Sequence, residues 1–136
     1  MDVCPVFSHS RCLDHDPGPG HPESPLRLRA VLDQLTRVAP EALQSALPAA
    51  RAAVLRVHPE SYLARLEALA GAGGGRLDPD TVLGGASWEA ALGGAGAALA
   101  AVDSALGGVP AFAAVRPPGH HALADRAMGF CLLANV

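Results

Sequence analysis

Hydrophobic and polar positions along the 136-residue chain alternate between two kinds of pattern. Val3 to Phe7 is a short apolar run of strand length. The segment from Ser8 to Glu23 that follows is crowded with His, Asp, Gly and Pro, which marks a long loop. Ser24 is a good N-cap and Pro25 suits the first helical position. Leu28, Val31, Leu32, Leu35 and Val38 then recur at helical spacing until Pro40 ends the pattern, so a helix is predicted there. Ala52 to Val57 reads as a second short strand. Pro59 opens another helix, with Tyr62, Leu63, Leu66 and Leu69 on its apolar face, and Gly71, Gly73, Gly74 and Gly75 stop it. From Ser87 onward, Trp88, Leu92, Ala95, Leu99, Val102 and Leu106 line one face of a long helix. Gly93, Gly94 and Gly96 each cost that helix about 1 kcal/mol relative to alanine, so their presence points to close packing against a neighbour. Val109 to Val115 reads as a last, buried strand.

Strand, helix, strand, helix, helix, strand is the order of a parallel sheet with covering helices. No internal repeat or interdomain linker breaks it, and one domain is the limit for this length. Half of the residues are hydrophobic but only 4% are aromatic, so Ala, Leu and Val must fill the core. There is no lysine, and ten arginines against thirteen acids leave a formal charge of −3. That balance offers no basic footprint for nucleic acid or for an anionic membrane. Cys4, Cys12 and Cys131 are odd in number and form no C-x-x-C pair, which argues against a disulfide framework or a structural zinc site. A soluble chain in a reducing cytoplasm is expected. The N-terminus lacks the charged and long apolar regions of a signal peptide, and no stretch approaches the ~20 apolar residues of a membrane span.

Chemistry concentrates near the end of the chain, in Arg116-Pro117-Pro118-Gly119-His120-His121-Ala122 followed by Met128-Gly129-Phe130-Cys131. Adjacent side chains in an extended segment point to opposite sides. Two neighbouring imidazoles can therefore face one reacting centre only if the backbone leaves that geometry. Pro117 and Pro118 fix φ, and Gly119 permits a bend. The preceding strand would hold this loop at its C-terminal end, where open α/β sheets bind their ligands.

These residues resemble the active-site signature of the histone deacetylase family, the zinc-dependent deacetylases that include acetylpolyamine amidohydrolases. Two further stretches agree: His21-Pro22-Glu23-Ser24-Pro25-Leu26-Arg27-Leu28 resembles the family's HPE-x-P-x-R segment, and Val57-His58-Pro59-Glu60-Ser61-Tyr62 its V-H-x-x-x-Y segment. The resemblance implies the N-terminal portion of an arginase/deacetylase-like open parallel sheet with helices on both faces. It implies His121 as general base and His120 as its partner, stabilising or protonating the leaving amine. Gly129 would accept the substrate amide N–H, Phe130 would wall the acyl-lysine tunnel, Cys131 would lie by the pocket floor, and Arg27 would sit in the cavity behind. The family holds Zn2+ with an Asp-x-His pair and a further Asp. The sequence contains no Asp-x-His, so residues 1–136 are expected to be the N-terminal part of the domain, truncated before the metal ligands.

Each residue also has a plainer reading. His120 and His121 could merely bond to backbone, Gly129 and Phe130 could be turn and core, Cys131 a small buried hydrophobe, and Arg27 a solvated helix arginine. His9, His15 and His21 with Asp14 and Asp16 look at first like a metal cluster, but structural or substrate-contact roles suit their Pro- and Gly-rich loop better. Glu23 and Glu60 read as capping or surface charges. Two functions follow: a metal-dependent deacetylase acting on acetylated protein or small acetylated amines, present as an incomplete domain, or a non-catalytic fragment with no activity of its own.

Overall fold

The computed structural model describes residues 3–136. Its elements are β1 (Val6–Ser8), α1 (Pro25–Val38), β2 (Leu43–Ser45), α2 (Arg51–Val54), α3 (Glu60–Gly71), β3 (Gly74–Asp78), β4 (Thr81–Gly84), α4 (Ser87–Leu106) and β5 (Phe112–Ala113). β1 is central in a three-stranded sheet of order β2-β1-β5, parallel to both neighbours, with Val6 opposite Leu43 on one side and Phe112 on the other. The predicted parallel α/β sheet is thus present.

Helix α1 begins as its sequence dictates. Ser24 has an extended backbone and its hydroxyl accepts the Leu26 N–H at 3.2 Å, with Pro25 in the first turn. Leu28 is buried with Val6, Cys12, Ala42 and Ala114, and Val31, Leu32 and Leu35 pack against that cluster. A second cluster joins Tyr62, Leu63 and Leu66 of α3 to Trp88 and Ala91 of α4, Leu83 of β4, and Leu132 and Leu133.

Two expectations are corrected. Residues 51–54 form the short helix α2 rather than part of a strand, and the second strand is β2. Leu55 and Val57 are exposed, and Ala52 and Ala53 favour a helix. What makes β2 a strand is position, because the turn Pro40–Ala42 after α1 sets Leu43 beside Val6. The glycines at 73–75 do not only stop α3. They begin an antiparallel hairpin of β3 and β4, with a bulge between Arg76 and Asp78.

α4 has the predicted extent, and its glycines do serve close approach. A Cβ on Gly96 would overlap the Leu47 carbonyl, and one on Gly93 would lie 2.7 Å from the His9 ring. Its predicted apolar face is buried only in part: Trp88 is covered, whereas Leu99, Val102 and Leu106 are 45%, 54% and 82% exposed. Leu99 and Val102 line an apolar groove of about 210 Å³ with Ala49, Val54, Val57 and Val136. Among the described residues no helix is long and apolar enough to cross a membrane.

Candidate active site

β5 is extended upstream and downstream by backbone bonds, Phe112 N–H to Pro5 and Ala114 N–H to Phe7, and the chain then leaves the sheet at Arg116. The Arg116–Pro117 peptide is cis. Gly119 is buried, and a Cβ there would overlap Asn135 Oδ1. Gly119 has no positive φ, so the glycine is required by this close approach rather than by backbone freedom. Beyond it the Ala122 N–H bonds back to the Gly119 carbonyl at 3.1 Å, and this turn sets the His120 and His121 rings side by side, centroids 4.3 Å apart and tilted by 53°. Both histidines are exposed.

The Met128–Cys131 turn closes over this pair. Met128 and Cys131 exchange backbone hydrogen bonds of 3.2 and 2.9 Å, and Gly129 and Phe130 between them have φ of 57° and 71°. The left-handed region costs a phenylalanine energy that its surroundings must offset. Its N–H donates to Thr81 Oγ1 at 3.1 Å, and its ring meets His21 edge-on at 4.9 Å. A Cβ on Gly129 would stand 2.7 Å from Cγ and Cδ2 of His121, so only glycine lets that imidazole lie against the turn. The Cys131 thiol donates to the Gly129 carbonyl at 3.2 Å and accepts the His121 N–H at 3.4 Å. Burial pushes this thiol up from its ordinary value, which keeps it protonated near neutral pH. An open pocket of about 530 Å³ beside Phe130 is lined by His21, Pro22, Arg76, Asp80 and Val82.

His120, His121, Gly129, Phe130 and Cys131 are therefore neighbours. Arg27 stands apart: half-exposed, it donates to the Val115 carbonyl at 3.2 Å and lies 3.7 Å from Glu23. Glu23 is not the surface or capping charge expected from sequence. It is buried and receives two hydrogen bonds from the fully buried Arg116, at 3.0 and 2.7 Å, while Arg116 also donates to the Cys12 and His15 carbonyls. A buried guanidinium needs such a carboxylate. Arg116 directly follows an apolar strand, but no local pattern pairs it with a carboxylate 93 positions earlier.

The N-terminal histidines diverge. His9 caps the short turn Ser10–Leu13. His21 bridges the Asp80 carbonyl and the Glu23 N–H. His15 is buried, bonds to Ser87 at 2.6 Å, and has its pKa lowered to about 4, chiefly by burial and then by Arg116. Helix α3 supplies contacts that sequence reasoning missed. Tyr62 donates to the Leu132 carbonyl at 2.5 Å, its phenol pushed up to about 12 by burial. Arg65 donates to the Asp125 carbonyl at 3.0 Å, and His58 contacts Ala124 and Ala134. Tyr62 and Arg65, three positions apart on α3, share a helix face, and His58 stands just before the helix begins.

Among the described residues no three His, Cys, Asp or Glu side chains converge in a way that could hold a metal ion. The residues present do not fit a zinc site. Two imidazoles side by side next to a tight turn lie beyond the carboxyl end of a parallel strand, the end at which open α/β sheets bind ligands. Comparison with known proteins gives the family. Residues 21–136 match the histone deacetylase domain. The chain is 48% identical over 122 residues to a histone deacetylase-like amidohydrolase of Pseudomonas aeruginosa, an alignment covering 86% of this chain and 32% of that protein. It is 37% identical over 133 residues to a probable deacetylase of Methanothermobacter thermautotrophicus, covering 96% and 40%. The crystal structure of the HDA15 HD domain superposes with a TM-score of 0.89 at 30% identity, over 99% of this chain and 41% of that one. The chain belongs to the histone deacetylase family, and it spans less than half the length of these relatives.

Proposed function

We propose that this chain supplies the proton-transfer and acyl-amine-binding part of a deacetylase site. The supporting observation is the close pairing of the His120 and His121 rings, with His121 lying against Gly129 beside Phe130. In this reading His121 is the base that takes a proton from the attacking water, and His120 hands one to the departing amine nitrogen. The Gly129 carbonyl accepts the substrate amide N–H, and the flat Phe130 ring packs along a methylene stem. Arg27 would meet the released acyl group from behind. Substrates of this form are acetyl-lysine in proteins or small acetylated amines, in a reducing cytoplasm, without nucleic acid or membrane as partner. Zinc, in the resembled family, polarises the amide and its attacking water. Since the described residues do not form a zinc site, this reading routes no step through the metal. Residues 1–136 would then be the N-terminal part of the domain.

Binding is the test the chain itself can meet. In NMR spectra, an acetyl-lysine amide should shift His120, His121, Gly129 and Phe130, an unacylated lysine amide should not, and Phe130→Ala should weaken the response. Hydrolysis of an acetyl-lysine peptide by these 136 residues with added zinc should be absent. No selective shift at those four residues would overturn the proposal, and chelator-sensitive turnover would overturn the statement that they lack a zinc site.

A further inference from the structure

The segment Ala122–Ala134 runs out from the paired histidines, turns at Met128–Cys131 and returns beneath them. Its two arms need something between them, and the buried His58, 2% exposed, stands there. His58 Nδ1 is 2.7 Å from the Ala124 carbonyl on the outgoing arm, and Nε2 is 3.0 Å from the Ala134 N–H on the returning one. A carbonyl can only accept and an N–H can only donate, so Nδ1 must carry the proton and Nε2 must be bare. That is the neutral Nδ1–H tautomer, the less populated form of free histidine. Just inside α3, Tyr62 holds the Leu132 carbonyl and Arg65 the Asp125 carbonyl, so residues 58–65 make four bonds to the two arms. Of these three residues, His58 is the one that bonds to both arms.

We propose that His58, locked as the Nδ1–H tautomer, is a positioning residue for the His120–His121 pair and for the Gly129–Phe130 turn. It sets the distance between the arm that begins at His121 and the arm that carries Phe130 back, and through them the seating of the His121 ring on Gly129. This rests on the functional reading above for its significance but not for its geometry.

Long-range 15N correlation spectra of the unmodified chain report the tautomer of each of its six histidines directly. His58 should show the Nδ1–H pattern at neutral pH. His58→Phe keeps the ring shape and removes both bonds. It should move the His120 and His121 ring signals and the Gly129 and Phe130 amides, and weaken acetyl-lysine amide binding about tenfold, the effect of losing roughly 1.4 kcal/mol. His58→Asn keeps a donor near Nδ1 and His58→Gln an acceptor near Nε2, so each should restore part of the loss. An Nε2–H or cationic His58 would overturn the proposal, and so would a folded His58→Phe protein, its Val6 and Leu28 methyl signals unchanged, with the paired histidines and Gly129 where they were. Should His58→Phe not fold, the tautomer and the Asn and Gln variants decide the matter. Failure of the unmodified chain to bind acetyl-lysine amide would sink the functional reading alone, because tautomer and ring signals are read without ligand.

Discussion

At the scale of single residues, a buried ion pair constrains the fold more tightly than the exposed paired histidines do. Glu23 and Arg116 are 93 positions apart and meet in the interior. Removing one partner of such a pair strands the other, so Glu23→Gln should lower stability by about 3–5 kcal/mol in urea unfolding. Glu60→Gln, at an exposed pair with Arg51, should leave the midpoint unchanged. His15 adds a pH dependence of definite sign. Folded, it binds its proton with a pKa of about 4 instead of its ordinary 6.5, so below pH 6.5 the unfolded chain takes up a proton that the folded chain refuses. Stability should fall between pH 6.5 and 4, by about 3 kcal/mol at most from this group, and His15→Asn should remove that part of the slope. The motif around His120 was legible because its residue types are unusual together. The role of Glu23 was not, because a helix-start glutamate looks alike whether it faces solvent or a guanidinium that arrives from the far end of the chain.

At the scale of elements, the three long helices and the strands β1 and β5 were legible, whereas α2, β2 and the β3–β4 hairpin were not. Each of α1, α3 and α4 carries its own spacing and stop signals over three or more turns. β2 and the β3–β4 hairpin are short and take their identity from partners elsewhere in the sequence, which local pattern does not contain. The same distinction governs α4. Propensity alone says that Gly96→Ala should strengthen the helix, but an added methyl there collides with the Leu47 carbonyl. We expect Gly96→Ala to lower stability by about 1–3 kcal/mol, as overpacking does. Gly71→Ala, at a helix end with open space around it, should instead raise stability by up to about 1 kcal/mol. Thermal melts of the two variants should move in opposite directions.

For the whole molecule, the described residues form two core clusters, and an apolar groove along α4 remains open. Leu66 is fully buried and Leu99 is not. Leu66→Ala should cost about 2–5 kcal/mol. Leu99→Ala should cost about 1 kcal/mol or less, because much of that side chain already meets water. An environment-sensitive apolar dye should brighten on the folded chain and lose most of that signal in Leu99→Asp, a readout that unfolding would move the other way. The helical period of α4 picked out its large apolar residues, but the face that is buried runs instead through small ones, Ala90, Ala91, Gly93, Gly94 and Ala97.

One feature of the sheet bears on how the chain is made. β1 is synthesised first and lies in the middle, yet one of its two neighbours is β5, and Ser8 reaches the Ala114 carbonyl across 106 positions. At about 5–20 residues per second, the nascent strand waits on the order of 5–20 s for that neighbour to emerge. During that interval one side of β1 offers bare backbone N–H and C=O groups beside the apolar face of α1, a surface suited to a ribosome-bound chaperone. Slowing translation between codons 50 and 110 should therefore raise the aggregated fraction, while leaving the stability of correctly folded molecules unaltered.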